Sequence, residues 1–102
     1  MINIKAVPVP GELFCIQAED GEKVVGYVLG TEIPKELAYI WHLRVDPAYR
    51  RKGHGRNLVE TLKKLYPVVA TQILTSDSRK LFKKMGFKRE HKEIIWRESG
   101  SI

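Results

Sequence analysis

Arg50-Arg51-Lys52-Gly53-His54-Gly55-Arg56 crowds four permanently charged cations and two glycines into seven consecutive positions. An apolar run closes just upstream at Val45, and Asp46-Pro47 forces a turn between the two. A leucine-rich segment of helical period opens just downstream. Glycines let a backbone come close to a ligand, and the N–H groups of a starting helix carry partial positive charge outward. Arginine and lysine add full charge around the same loop. The chemistry open to such a run is the grip of a phosphate, so a phosphorylated small molecule is the expected ligand. The backbone of residues 51–56 and the side chains of Arg50, Arg51, Lys52 and Arg56 are its expected contacts, with His54 contributing mainly its main chain.

Other chemistry-bearing residues read more plainly. His42, in the strand that leads into the loop, has an imidazole suited to taking a proton near neutral pH. Cys15 sits in an apolar strand, where a free cysteine behaves as a small hydrophobe rather than a nucleophile. Ser76 and Ser78 suit helix capping, and no local signature of a serine triad accompanies them. His42, His54 and His91 lack metal-ligand spacing, so no metal is expected. His91, among Glu90, Lys92 and Glu93, reads as a solvated strand face.

Bulk properties frame these residues. The 102 residues suit one domain, 1–102, with a modest core. Apolar residues make up 43% and charged residues 29%, as in water-soluble globular chains. No apolar run approaches the roughly 20 residues that cross a bilayer. The start of the chain has no charged-then-apolar signal layout, and a single cysteine fits a reducing compartment, so a cytoplasmic location and no membrane partner are expected. The formal charge of +6 favours an anionic partner. Lys63, Lys64, Lys80, Lys83 and Lys84 could form a basic patch, but no recognition-helix motif or aromatic platform for nucleic acid accompanies them.

The elements that must hold the loop follow from periodicity and punctuation. Met1–Val7 reads as a short strand or arm, broken by Pro8, Pro10 and Gly11. Leu13–Ala18 and Val24–Leu29 form a hairpin about Asp20-Gly21. Gly30–Glu36 is a loop. Leu37–Val45 is the longest strand, with Tyr39, Trp41, Leu43 and Val45 on one face and Ala38, Ile40, His42 and Arg44 on the other. Leu58, Leu62 and Leu65 mark the buried stripe of the first helix, which Pro67 ends. Val68–Leu74 is a β-branched strand. A second helix carries Leu81, Phe82 and Met85 and stops at Gly86. Phe87–Trp96 is a final strand. The order β-β-β-α-β-α-β describes an α+β fold in which a mixed sheet carries helices.

Two segments resemble one family. Arg50-Arg51-Lys52-Gly53-His54-Gly55 is similar to the Arg/Gln-x-x-Gly-x-Gly/Ala signature of the GNAT acyltransferase superfamily, with Val45-Asp46-Pro47 before it at that family's spacing. Leu81-Phe82-Lys83-Lys84-Met85-Gly86-Phe87 resembles its Leu-Tyr-x-x-Leu-Gly-Phe segment. The likeness spans roughly residues 24–96 in the expected order. It implies a central, mostly antiparallel sheet with a V-shaped splay and helices on its faces. It implies acetyl-CoA, or another acyl-CoA, as the donor substrate. The amides of the glycine loop would hold the pyrophosphate, and Leu43, Arg44 and Val45 would lie along the pantetheine arm. A backbone amide there would polarise the thioester carbonyl. Ser78 and Phe82 complete the cofactor contacts so implied. The reaction implied is direct attack of an amine on the thioester.

Four departures from the family pattern shape the expectation. Only about ten residues precede Gly11, too few for the two helices that relatives carry there. The acceptor side is therefore expected to be open, or completed by a second subunit in a homodimer. Phe82 replaces a tyrosine that protonates the leaving thiolate in many relatives. Trp41 and His42 stand where a glutamate often serves as base, which makes His42 the candidate. Thr75 stands where some relatives carry asparagine. Tyr39 and Trp41 could wall the acceptor site. The expected activity is N-acyl transfer to an amine of a small molecule or a protein. The alternative is a CoA-binding regulatory or interaction module with little turnover.

Overall fold

A computed structural model describes residues 2–33, 36–72 and 76–98, the side chains of residues 76–78 excepted. Among these residues seven strands and two helices follow one another: β1 (Ile2–Ala6), β2 (Leu13–Asp20), β3 (Lys23–Ile33), β4 (Leu37–Val45), α1 (His54–Leu65), β5 (Val68–Gln72), α2 (Ser76–Lys84), β6 (Lys88–Glu90) and β7 (Glu93–Arg97). A 3-10 turn, Pro47–Tyr49, links β4 to the glycine loop. All strands join one sheet in the order β1-β2-β3-β4-β5-β7-β6. Every neighbouring pair is antiparallel except β4 and β5, which α1 connects and which run parallel. The fold is α+β, as the residue pattern and the resemblance both implied.

The N-terminal segment is a true strand, pairing Ile2–Ala6 with Ile16–Asp20. Residues 7–12 alone join it to β2, and no helix lies between these two strands. The segment expected as one final strand divides into β6 and β7 at His91, which adopts φ +58°. The fifth strand is described to Gln72; Ile73, Leu74 and Thr75 lie outside the described residues.

Two register shifts decide which side chains face the helices. Between β3 and β4, Leu29 pairs with His42 but Gly30 pairs with Ile40, so Trp41 is an extra residue bulged out of β4. A one-residue insertion flips every side chain beyond it. Ala38, Ile40, Leu43 and Val45 thus share the face that packs on α1, and the expected grouping of Leu43 and Val45 with Tyr39 and Trp41 is corrected. Gly30 makes the bulge possible: a Cβ there would meet the Tyr39 carbonyl oxygen at 1.9 Å and the Phe14 ring at 2.8 Å. The second shift makes Val25 the extra residue of β3, and its carbonyl accepts the Asp46 N–H at 2.7 Å.

Both helices pack on the same face of the sheet. Leu58, Val59 and Leu62 of α1 join Ile16, Ala18, Val28, Ile40, Val69 and the α2-side residues Phe82, Met85 and Phe87 in one buried cluster. The Lys63 ammonium of α1 donates to the Met85 carbonyl at 2.9 Å and lies 4.7 Å from the centre of the Trp96 ring. Leu65, expected in the core, is 53% exposed. The helix ends there, and Tyr66 turns inward instead, its ring 6.0 Å from Phe14 and its hydroxyl donating to Glu32.

Candidate functional site

β4 and β5 pair only from Leu37–Ile40 to Val68–Thr71. At the last pair the buried Thr71 hydroxyl donates to the Ile40 carbonyl at 3.2 Å and closes the bottom of the gap. Beyond it, residues 42–45 keep β3 on one side, and residues 41–45 have no ladder partner on the other among the described residues. A strand edge with unsatisfied N–H and C=O groups is a template for an extended, amide-bearing ligand.

That edge borders a groove of about 820 Å³, within the range of small-molecule sites. Its walls are Leu43, Arg44 and Val45 of β4, the loop residues Arg50, Arg51 and Gly53, and the first turn of α1, His54-Gly55-Arg56. His42, Tyr27, Tyr49 and Leu81 complete it.

The loop is shaped by local rules. Asp46 accepts the Ala48 N–H at 3.1 Å and starts the 3-10 turn, with Pro47 in its first position. Arg50 folds back so that its Nε donates to the Val45 carbonyl at 3.0 Å. Gly53 caps α1 at φ +83°, and no side chain caps the helix start. The first turn holds no acidic residue. Its N–H groups lack intrahelical acceptors, so the helix start presents an uncancelled positive end to the groove. His54 Nδ1 is buried with no hydrogen-bond partner among the described residues, and its ring lies 6.2 Å from that of Tyr49.

Tyr49 fastens this loop to the β2–β3 hairpin. Its hydroxyl donates to Asp20 Oδ2 at 2.9 Å. The shared hydrogen bond holds the Asp20 carboxyl below its usual range and pushes the Tyr49 phenol up. The ammonium groups of Lys23 and Lys52 lie 5.6 and 5.7 Å from the centre of the Tyr49 ring.

Of the residues singled out by sequence, His42, Leu43, Arg44, Val45, Arg50, Arg51, Gly53, His54, Gly55 and Arg56 all line the groove. Lys52 does not; it lies over Tyr49. Phe82 is 2% exposed, its ring 4.9 Å from Phe87, because the stripe of α2 turns it into the core. Its neighbour Leu81 reaches the groove instead. Ser78 belongs to α2, but its side chain lies outside the described residues, as does Thr75. Tyr39 and Trp41 pack together on the helix-free side, rings 5.2 Å apart. Tyr27 and Leu81 escaped sequence reasoning because strand register and helix phase bring them in. Tyr49 carried a signal, since it directly precedes the cationic run.

The sequence matches the acetyltransferase (GNAT) family model over residues 4–87. Among solved structures, Arabidopsis thaliana NAA60 in complex with acetyl-CoA superposes with a TM-score of 0.76 at 16% identity, covering 89% of this chain and 79% of that one. The ribosomal-protein-S18-alanine N-acetyltransferase from Escherichia coli gives 0.71 at 20% identity, covering 85% and 68%. The Bacillus subtilis N-acetyltransferase YlbP in complex with coenzyme A gives 0.70 at 22% identity, covering 83% and 68%. At these identities the likeness is one of fold. No curated protein sequence matches the chain.

Proposed function

The chain belongs to the GNAT acetyltransferase family, and from that premise we propose that it moves an acyl group, acetyl foremost, from coenzyme A to an amine. The carrying observation is one groove with an uncapped, cation-rimmed helix start at one end and, along its side, a strand edge that has no ladder partner among the described residues. The diphosphate fits the first-turn N–H groups of α1 with Arg51 and Arg56 around it. The two amides of the pantetheine arm suit the free edge of residues 41–45.

In this reading the amine nitrogen attacks the thioester carbonyl carbon while a β4 amide stabilises the developing oxyanion. The new carbon–nitrogen bond forms, the carbon–sulfur bond breaks, and the thiolate takes its proton from water. Phe82 offers no hydroxyl for that step and lies in the core. His42, exposed in the groove wall, accepts the proton lost by the amine. With only residues 7–12 between β1 and β2, the acceptor side admits an amine as large as a protein tail. Cys15, a free thiol, fits a reducing compartment such as the cytoplasm.

Titration calorimetry with acetyl-CoA, followed by a free-thiol assay over amines and peptide N-termini, tests the proposal. Binding, with turnover that His42→Gln lowers by about 10²-fold, supports it. Absence of binding at millimolar acetyl-CoA sinks it. Binding with no turnover for any acceptor favours the second reading, a CoA-responsive interaction module, to which the missing hydroxyl at Phe82 points.

A further inference from the structure

We infer that the helix-free face of the sheet is a homodimer interface, on which a second copy of this chain packs sheet against sheet. Both helices lie on one face, and no described element covers the other. The bare face is not polar at its centre. Ile33, 50% exposed, and Trp41, 49% exposed, border a depression of about 340 Å³ with Leu37, Tyr39, Thr31 and Glu32. The Trp41 indole donates to Thr31 at 2.6 Å, and its ring packs on Tyr39, so the aromatic pair is already ordered before any partner arrives. An apolar centre with preset aromatic anchors inside a polar margin is the anatomy of a protein–protein interface.

Charge selects the occupant. The chain carries +6, yet many of its cations gather elsewhere: Arg50, Arg51 and Arg56 at the groove, and Arg79, Lys83 and Arg89 around a depression near α2. The apolar patch is flanked instead by ion pairs that neutralise themselves, Lys5 with Glu19 on one side and Arg97 with Glu90 on the other. Nucleic acid or an acidic protein is drawn to the cationic surfaces. Arg44 stands farther along this face, but the charges that flank the patch itself are paired, so a basic copy of this chain meets little repulsion there. The chain extends 39 × 31 × 22 Å, and its broad face suffices for the roughly 800 Å² per partner of a stable interface. Two sheets stacked this way lie about 10 Å apart. Trp41 adjoins His42, so the second copy would stand beside the acceptor end of the groove. The inference does not depend on acyl transfer.

Sedimentation of the full chain up to about 200 μM tests it, with acetyl-CoA affinity measured separately. The expected result is a species of twice the 11.7 kDa chain mass. Ile33→Asp is expected to weaken self-association by about 100-fold while leaving circular dichroism and acetyl-CoA affinity unchanged. Leu65→Asp, at an equally exposed leucine on the helix side, is expected to leave the dimer intact. A wild-type monomer throughout the range overturns the proposal and leaves the face to another partner. A dimer that survives Ile33→Asp, or that Leu65→Asp dissociates equally, also overturns it.

Discussion

The Tyr49 hydroxyl donates to Asp20 Oδ2 across 29 residues of sequence, and this bond ties the cationic loop to the β2–β3 turn. Rigid placement of binding groups governs how well they are used. Tyr49→Phe deletes the bond and keeps the ring under Lys23 and Lys52. We expect KM for acetyl-CoA to rise about three- to tenfold with kcat near wild type, as steady-state kinetics would show. Because the hydrogen bond depresses the Asp20 pKa, its stabilisation is present above the ordinary carboxylate value of 3.8 and is lost as pH falls through the lowered one. The melting difference between wild type and variant should therefore vanish in strong acid.

Gly30→Ala addresses the bulge. The added methyl would collide with the Tyr39 carbonyl and the Phe14 ring, so β3 and β4 must move apart. The expected cost is about 3 kcal/mol or more, read as a drop in Tm of roughly 12 °C or more. A variant melting within a few degrees of wild type would mean that the bulge does not depend on this glycine.

Gly55→Ala separates folding from binding. A Cβ at this position meets Val45 at 3.6 Å and Leu81 at 4.0 Å, ordinary contacts, and alanine suits a helix better than glycine by about 0.5–1 kcal/mol. Tm should hold or rise slightly. The methyl nevertheless enters the groove where the backbone must approach a diphosphate. Calorimetry is expected to show acetyl-CoA affinity falling about tenfold or more.

Tyr66 sets an alkaline limit. Burial and then the hydrogen bond to Glu32 push its phenol far above the ordinary phenol value of 10.0. A raised folded-state pKa means that the stabilisation is whole below pH 10 and drains away as pH climbs through the raised value. Thermal melts should fall steeply above pH 10 for wild type and less steeply for Tyr66→Phe, which lacks the titrating group.

Groove binding should also respond to salt. Arg50, Arg51 and Arg56 are surface-accessible charges, and interactions among such charges weaken as the screening length shrinks. The dissociation constant of acetyl-CoA is expected to rise severalfold from about 0.01 M to about 1 M salt, and to rise less for Arg56→Gln.

Legibility in the sequence followed the range of the interactions involved. The turn at Asp46-Pro47, the left-handed cap at Gly53 and the stripe of Leu58 and Leu62 are dictated by residues a few positions apart, so the anion-binding loop was readable directly. The hairpin about Asp20-Gly21 was readable for the same reason. What only the tertiary structure decided depends on partners distant in the chain. The gap beside residues 41–45 exists because, among the described residues, the β4–β5 ladder ends at Ile40 and Thr71. Leu43 and Val45 turn toward α1 because Trp41 bulges against Gly30, and a bulge reverses face parity with no local mark in the strand that carries it. Phe82 went to the core and Leu81 to the groove because α2 lies beside α1 on one face, an arrangement set by packing against Trp96 and Phe87 rather than by either helix alone.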